Sequence, residues 1–263
     1  MMNQRISTNG LAYYDRGEGE VALFLHGFCG SSAYWDEVAP LLDTHRVILV
    51  DLRGHGKSRY DTPVKSIEEL AFDVHNLVME LGVAPFHLFG HSLGGYITLA
   101  YVEQFPHEVK GFGLIHSTAF PDTVEGQWNR LKAIEQITEK GLPSYLDELI
   151  PKLFAEKNHI HYKEKLYCIR QIGLETKPQA AKDLLAAMRV RADRRSIIDN
   201  SNVPVLLLSG EMDAIVPVEK VFSSDKPHIK KVILKDSGHM GMIEEPERVV
   251  IELKQFMWKS EEK

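Results

Sequence analysis

The chain predicts an α/β fold, a mostly parallel doubly wound sheet interrupted by a helical insertion. Three observations lead there. Short β-rich runs alternate with helical patterns through the first 115 residues, the rhythm stops between about 121 and 199, and it resumes from 203. Strand–helix–strand alternation makes parallel crossovers, and a parallel sheet is covered by helices on both faces.

Residues 21–25 (VALFL), 46–50 (RVILV), 86–90 (FHLFG) and 111–115 (GFGLI) show little polar alternation, as strands buried on both faces do. Residues 66–81 place Ile67, Leu70, Ala71, Val74, Leu77, Val78 and Leu81 at helical spacing, with Gly82 just past the end as a stop. Residues 93–104 form a second helix that ends before Pro106. No strand-like run follows in 121–199. Charged, helix-forming segments at 127–140, 142–155, 163–176 and 178–194 fill it instead. Strands return at 203–209 and 231–234, and a helix over 246–258 closes the chain. The simplest organisation is a sheet domain of residues 1–120 and 200–263 carrying a helical cap over 121–199.

Composition narrows the function classes. With 44% apolar and 26% charged residues the chain reads as an ordinary folded protein, which excludes disorder, collagen and coiled coil. Its 31 Lys and Arg against 37 Asp and Glu give a net charge of −6, so no nucleic-acid partner is expected. Cys29 and Cys168 stand far apart and outside any Cys-x-x-Cys pattern, which reads as reduced thiols. No apolar run approaches the ~20 residues of a membrane helix, and none follows residues 1–5 as a secretory leader requires. The expectation is a cytoplasmic protein without a membrane partner. Its oligomeric state is not written in the sequence.

Gly90-His91-Ser92-Leu93-Gly94 matches Gly-x-Ser-x-Gly between an apolar strand and a helix. That context is the nucleophile elbow, a tight turn that exposes the Ser92 hydroxyl. A serine nucleophile needs a base, and the base an orienting acid, in the chain order Ser, acid, His. His239 lies on the loop beyond strand 231–234, and Asp213 follows strand 203–209 directly, with Pro217 four residues on. Both loops fall on the sheet's carboxyl edge. Glu211, Asp236 and Asp122 compete with Asp213 for the acid's role. The tetrahedral oxyanion needs backbone donors: Leu93 N–H, at a helix N-terminus, and Phe28 N–H from the loop His26-Gly27-Phe28-Cys29-Gly30, with Cys29 as the neighbouring alternative.

Other features read as decoys. Gly56-Lys57-Ser58 imitates the end of a phosphate-binding loop, but Asp51 stands where that motif needs glycine. His159-x-His161 lacks further ligands at metal spacing and reads as surface histidines. Cys29 reads as a small buried thiol. Arg189, Arg191, Arg194 and Arg195 read as a solvated helix end, with binding of a carboxylated substrate as the alternative. No metal or cofactor is expected.

Taken together, these motifs resemble those of α/β-hydrolase-fold serine hydrolases over essentially the whole chain. The resemblance rests on the elbow, His26-Gly27, Asp51-Leu52-Arg53-Gly54-His55-Gly56-Lys57-Ser58, Ser209-Gly210-x-x-Asp213 and Ser237-Gly238-His239, all in the family's order. It implies that the Arg-Gly-His-Gly-x-Ser segment is a structural turn. It also implies that 121–199 is a cap setting substrate choice, with side chains such as Trp128 and Phe154 available to tune it. The expected activity is cleavage of a small ester, thioester or lactone through an acyl-enzyme, with a small acyl compound as the partner molecule. A serine at the elbow disfavours dehalogenase and epoxide-hydrolase chemistry. Three alternatives share the framework. One is a carbon–carbon bond hydrolase. Another is the pyruvate-eliminating synthase of menaquinone biosynthesis, which carries Tyr and Arg where this chain has His91 and Tyr96. The third is a hydrolase-fold signalling receptor.

Overall fold

The computed structural model describes residues 3–261; Met1 and Met2, part of the N-terminal reading above, lie outside them. In chain order the elements are β1 (Asn3–Ile6), β2 (Ala12–Arg16), β3 (Val21–Leu25), β4 (Arg46–Val50), α1 (Ile67–Leu81), β5 (Phe86–His91), α2 (Leu93–Gln104) and β6 (Val109–Ile115). After β6 come α3 (Val124–Leu153), α4 (Lys163–Leu174), α5 (Pro178–Arg189) and α6 (Arg195–Asp199). The sheet then resumes with β7 (Val205–Gly210), α7 (Val218–Val221), β8 (Ile229–Leu234), α8 (Gly241–Glu244) and α9 (Pro246–Glu261).

The described strands form one eight-stranded sheet in the order β1-β2-β4-β3-β5-β6-β7-β8, parallel from β4 to β8. β1 and β2 add an antiparallel edge that the sequence reading missed, because NQRI and AYYDR lack an apolar run. Asn9-Gly10 between them was the available signal. The core matches the apolar runs: Phe24 stacks on Phe89 with ring centroids 5.1 Å apart and packs against Trp35 at 4.9 Å.

Local chemistry sets the helix ends. Ser66 caps α1 by accepting from the Glu69 N–H at 3.2 Å, and Gly82 ends it in the left-handed region at φ 61°. Within α3, Gly141 at φ 83° breaks the helix between the two segments expected at 127–140 and 142–155. The segment expected over 178–194 stops at Arg189 and restarts at Arg195. The chain moves from β3 out to β4 and then back to β5 on the other side of β3. This reversal of strand order opens a crevice at the carboxyl ends of β3 and β5, where ligands bind in open α/β sheets.

Candidate active site

Ser92 sits between β5 and α2 at φ 50°, ψ −112°, a conformation that a non-glycine residue adopts only at a cost of about 1–3 kcal/mol. Its surroundings hold it there. Its N–H donates to Ile115 O at 3.0 Å, and its carbonyl accepts from Gly95 N–H at 2.9 Å and Ser117 Oγ at 2.7 Å. The flanking glycines are required by contact: a Cβ on Gly90 would lie 2.2 Å from Gly94 O, and one on Gly94 would lie 2.7 Å from Leu25 O. The turn can be this tight because both positions lack side chains.

The structure brings His239 and Asp213 together, with His239 Nδ1 lying 2.7 Å from Asp213 Oδ2. A carboxylate only accepts, so Nδ1 carries a proton. The other carboxylate oxygen, Oδ1, accepts from Ile215 N–H at 2.8 Å and Val216 N–H at 2.9 Å. Burial alone would raise the pKa of this carboxyl. The charge of His239 and the hydrogen bonds from His116 and His239 outweigh it and hold Asp213 well below the usual carboxylate range.

His116 was not foreseen. Fully buried and at φ 49°, it places Nδ1 3.3 Å from the same Asp213 oxygen. The Gly241 N–H points at its Nε2 at 3.1 Å, which makes Nε2 the acceptor and leaves the Nδ1 proton for Asp213. Gly210 N–H lies 3.2 Å from Nδ1, but the tautomer it favours would set Nε2–H against the Gly241 donor. Burial lowers the His116 pKa, with partial opposition from Asp213, so the ring is neutral at neutral pH.

The backbone N–H groups of Phe28, whose residue lines the site's cavity, and of Leu93, which follows Ser92, have no acceptor among the described residues. Histidines pin the loop that carries Phe28. His26 donates from Nδ1 to Gly27 O at 2.7 Å and accepts Leu52 N–H at 2.9 Å, while His55 Nε2 accepts Cys29 N–H at 3.2 Å. Burial holds both rings neutral, lowering their pKa values to about 4 and about 3. Asp51 accepts from Ser32 N–H at 2.7 Å and Lys57 N–H at 2.9 Å. The segment from Asp51 to Ser58 therefore braces the loop. Cys29 N–H, the alternative donor, is taken by His55, and burial pushes the Cys29 thiol far up.

The rival acids lie elsewhere. Asp122 binds Arg130 Nε at 3.1 Å and Arg191 Nη1 at 2.5 Å, Asp236 is exposed and paired with Lys157, and Glu211 is exposed. The arginine cluster corrects the solvated-face reading. Arg191 and Arg194 are buried, Arg194 between Glu68 and Glu103, while Arg195 is exposed. Trp128 is 61% exposed, and Phe154 is buried near Tyr162. Among the described residues, donor atoms from three side chains converge as metal ligands would only at His116, Asp213 and His239, within 4.8 Å. Both Nδ1 atoms there carry protons directed at Asp213, so the trio is arranged for hydrogen bonding.

Ser92 and His239 open on one cavity of about 60 Å³, whose walls include Phe28, Arg130, Tyr145 and Met188. Helical residues between β6 and β7 thus form part of the wall. They also fix the histidine loop, since His239 N–H donates to Leu153 O at 2.7 Å; from β5, His91 Nε2 donates to the His239 carbonyl at 2.9 Å. Buried Glu244 joins the same parts, accepting from Gly238 N–H at 2.8 Å and from Ala155 N–H and Asn158 Nδ2 at 2.9 Å each.

An elbow serine, a carboxylate-bound histidine and two unengaged amides at the strand-order reversal define the class as hydrolase-like. The family model described as the alpha/beta hydrolase fold matches residues 21–136. A thermophilic esterase from Thermogutta terrifontis, solved with malate bound, is 30% identical, with 99% of each chain covered and a TM-score of 0.90. The dihydrolipoyllysine-residue acetyltransferase component of the acetoin cleaving system of Pseudomonas putida is 29% identical over 92% of this chain, which spans 65% of that protein's length. Lipase 1 of Psychrobacter immobilis is 27% identical over 90% of this chain and 77% of its own. The chain belongs to the alpha/beta hydrolase fold family. No helix among the described residues is long and apolar enough to cross a membrane.

Proposed function

We propose that the protein is a serine hydrolase acting on a small carboxylic ester, thioester or lactone. The observation that carries this reading is that His239, held by buried Asp213 at 2.7 Å, opens with Ser92 on a single cavity. Ser92 Oγ attacks the acyl carbon while His239 Nε2 takes its proton. The oxyanion is received by the N–H groups of Phe28 and Leu93, donors of a kind worth about 10²–10³ in rate each. His239 returns the proton to the leaving group as the acyl–oxygen or acyl–sulfur bond breaks. Water then attacks the acyl-enzyme, gives its proton to His239, and Ser92 leaves as the proton returns. Asp213 holds the imidazole in the tautomer that each step uses. The segment 121–199 acts as a cap that shapes the cavity and selects among substrates. Kinship to an esterase and a lipase supports the ester class.

The test joins labelling to turnover. A fluorophosphonate should modify Ser92 alone, and a series of p-nitrophenyl esters of increasing chain length should be cleaved by the native chain and not by Ser92→Ala. Modification elsewhere, or equal turnover by Ser92→Ala, overturns the proposal.

A further inference from the structure

Arg130 differs from Arg191 and Arg195, the other arginines along this wall. Its Nε donates to Asp122 Oδ2 at 3.1 Å, and this is the guanidinium's one hydrogen bond among the described residues. The two Nη groups remain unengaged, and the side chain is 25% exposed. It lines the 60 Å³ cavity that holds Ser92 and His239. It also lines an adjoining pocket of about 380 Å³, and the two spaces share Tyr96, Arg130 and Ile215 as walls. Arg191 is already committed. It donates to Asp122, Met188 O and Phe120 O, and its guanidinium lies 4.1 Å over the Tyr96 ring.

The charge around this pocket is unbalanced. Arg130 and Arg191 share the single carboxylate of Asp122, and Arg195 is matched by Asp193. Lys220 lies 4.9 Å over the Phe120 ring and has no ion pair among the described residues. Four cations therefore face two carboxylates along this wall, in a chain whose net charge is −6. A half-buried guanidinium with both Nη groups unengaged matches a carboxylate, which accepts two parallel hydrogen bonds in the same plane. Asp122, held on its other side by Arg191, fixes the direction in which that fork points.

We infer that Arg130 is a specificity-determining residue that binds a carboxylate on the substrate, so that the preferred ester is itself an anion. The inference rests on the serine-hydrolase reading and adds the substrate class. The carboxylate lies a few bonds from the acyl carbon, within the span between Ser92 and Arg130 across one small cavity. An uncharged ester still reaches Ser92 and leaves Arg130 to water, so it is turned over with a weaker kcat/KM.

Two matched pairs of esters test this, one for each side of the scissile bond. Mono-4-nitrophenyl glutarate is compared with 4-nitrophenyl pentanoate, and O-butyryl glycolate with propyl butyrate. In at least one pair the native chain should prefer the anion, and Arg130→Met should lower the ratio of kcat/KM on that anion to kcat/KM on its neutral partner by about 10–100-fold. Arg130→Gln should behave alike, and Arg130→Lys should retain part of the preference, since it keeps the charge and loses the fork. Thermal melting of each variant verifies folding. Ratios of anion to neutral that stay within twofold of the native value in both pairs overturn the inference. If the native chain cleaves none of the four esters, the hydrolase reading is what fails. Calorimetric binding of glutarate then decides the carboxylate site, which stands if Arg130→Met abolishes binding and falls if it does not or if the native chain binds none.

Discussion

His116 and His239 approach the same oxygen of Asp213, at 3.3 and 2.7 Å, each through Nδ1. The carboxylate's negative charge is thereby divided between the proposed base and a second, fixed imidazole. Removing the His116 donor should leave Asp213 more basic and strengthen its hold on protonated His239. In His116→Phe, kcat/KM on a simple ester should fall about tenfold and its acid limb should move to higher pH. A merely structural loss would lower the rate and leave the limb in place.

Asp213→Asn keeps the shape of the acid but offers an N–H where His239 Nδ1–H needs an acceptor. The expected loss in kcat is about 10⁴, the size known for this substitution in trypsin. Asp236→Asn, on an exposed residue paired with Lys157, should stay within a few-fold. Exchange of these two phenotypes would reassign the acid.

Chelation separates hydrogen-bonding from metal chemistry at the His116, Asp213 and His239 cluster. Ester turnover should be unchanged after prolonged EDTA treatment and after added zinc or manganese. Activity lost to the chelator and restored by one of these ions would show that the cluster holds a metal.

Buried neutral histidines predict sensitivity to acid. His26, His55 and His87 have pKa values lowered by burial to about 4, about 3 and about 4. The unfolded chain takes up protons on them near 6.5, so below that pH the unfolded state binds more protons and stability falls toward pH 4. Neither ring nitrogen of His87 has a hydrogen-bond partner among the described residues. His87→Leu should therefore flatten the decline by up to about 1.4 kcal/mol per pH unit, readable as urea midpoints between pH 6.5 and 4. An unchanged slope would show that His87 is not a source of it.

Glu244 gathers N–H donors from both sides of the histidine loop, and its loss leaves the buried Gly238 and Ala155 N–H groups unpaired. Glu244→Ala should cost about 2–4 kcal/mol of stability, measured by denaturant unfolding. Glu244→Gln, which still accepts through one oxygen, should cost less. Equal losses would show that the oxygen Gln retains contributes nothing.

What could be read beforehand was local. The elbow around Ser92 follows from two glycines between a strand and a helix, and the strand-end placement of Asp213 and His239 follows from apolar runs and what ends them. Arg130, His116 and Glu244 carried no such mark. Each gains its meaning from partners far along the chain: His116 from Asp213 and Gly241, Glu244 from Ala155, and Arg130 from the cavity it shares with Ser92. The arginines at 191 and 194 were misjudged for the same reason, since the carboxylates that permit their burial come from residues 68, 103 and 122. The edge hairpin of β1 and β2 escaped because it is polar and its turn is brief.

The bond from His239 N–H to Leu153 O sets a limit on grafting. Segments of this kind invite exchange between related chains as a way to move selectivity. Here the carboxyl-terminal end of α3 and the residues just after it, 153–158, belong mechanically to the histidine loop. A chimaera cut between β6 and β7 would transfer one wall of the proposed reaction centre along with the substrate pocket. The workable junction lies after residue 158, with the donor sequence confined to α4 through α6 and the native α3 left in place.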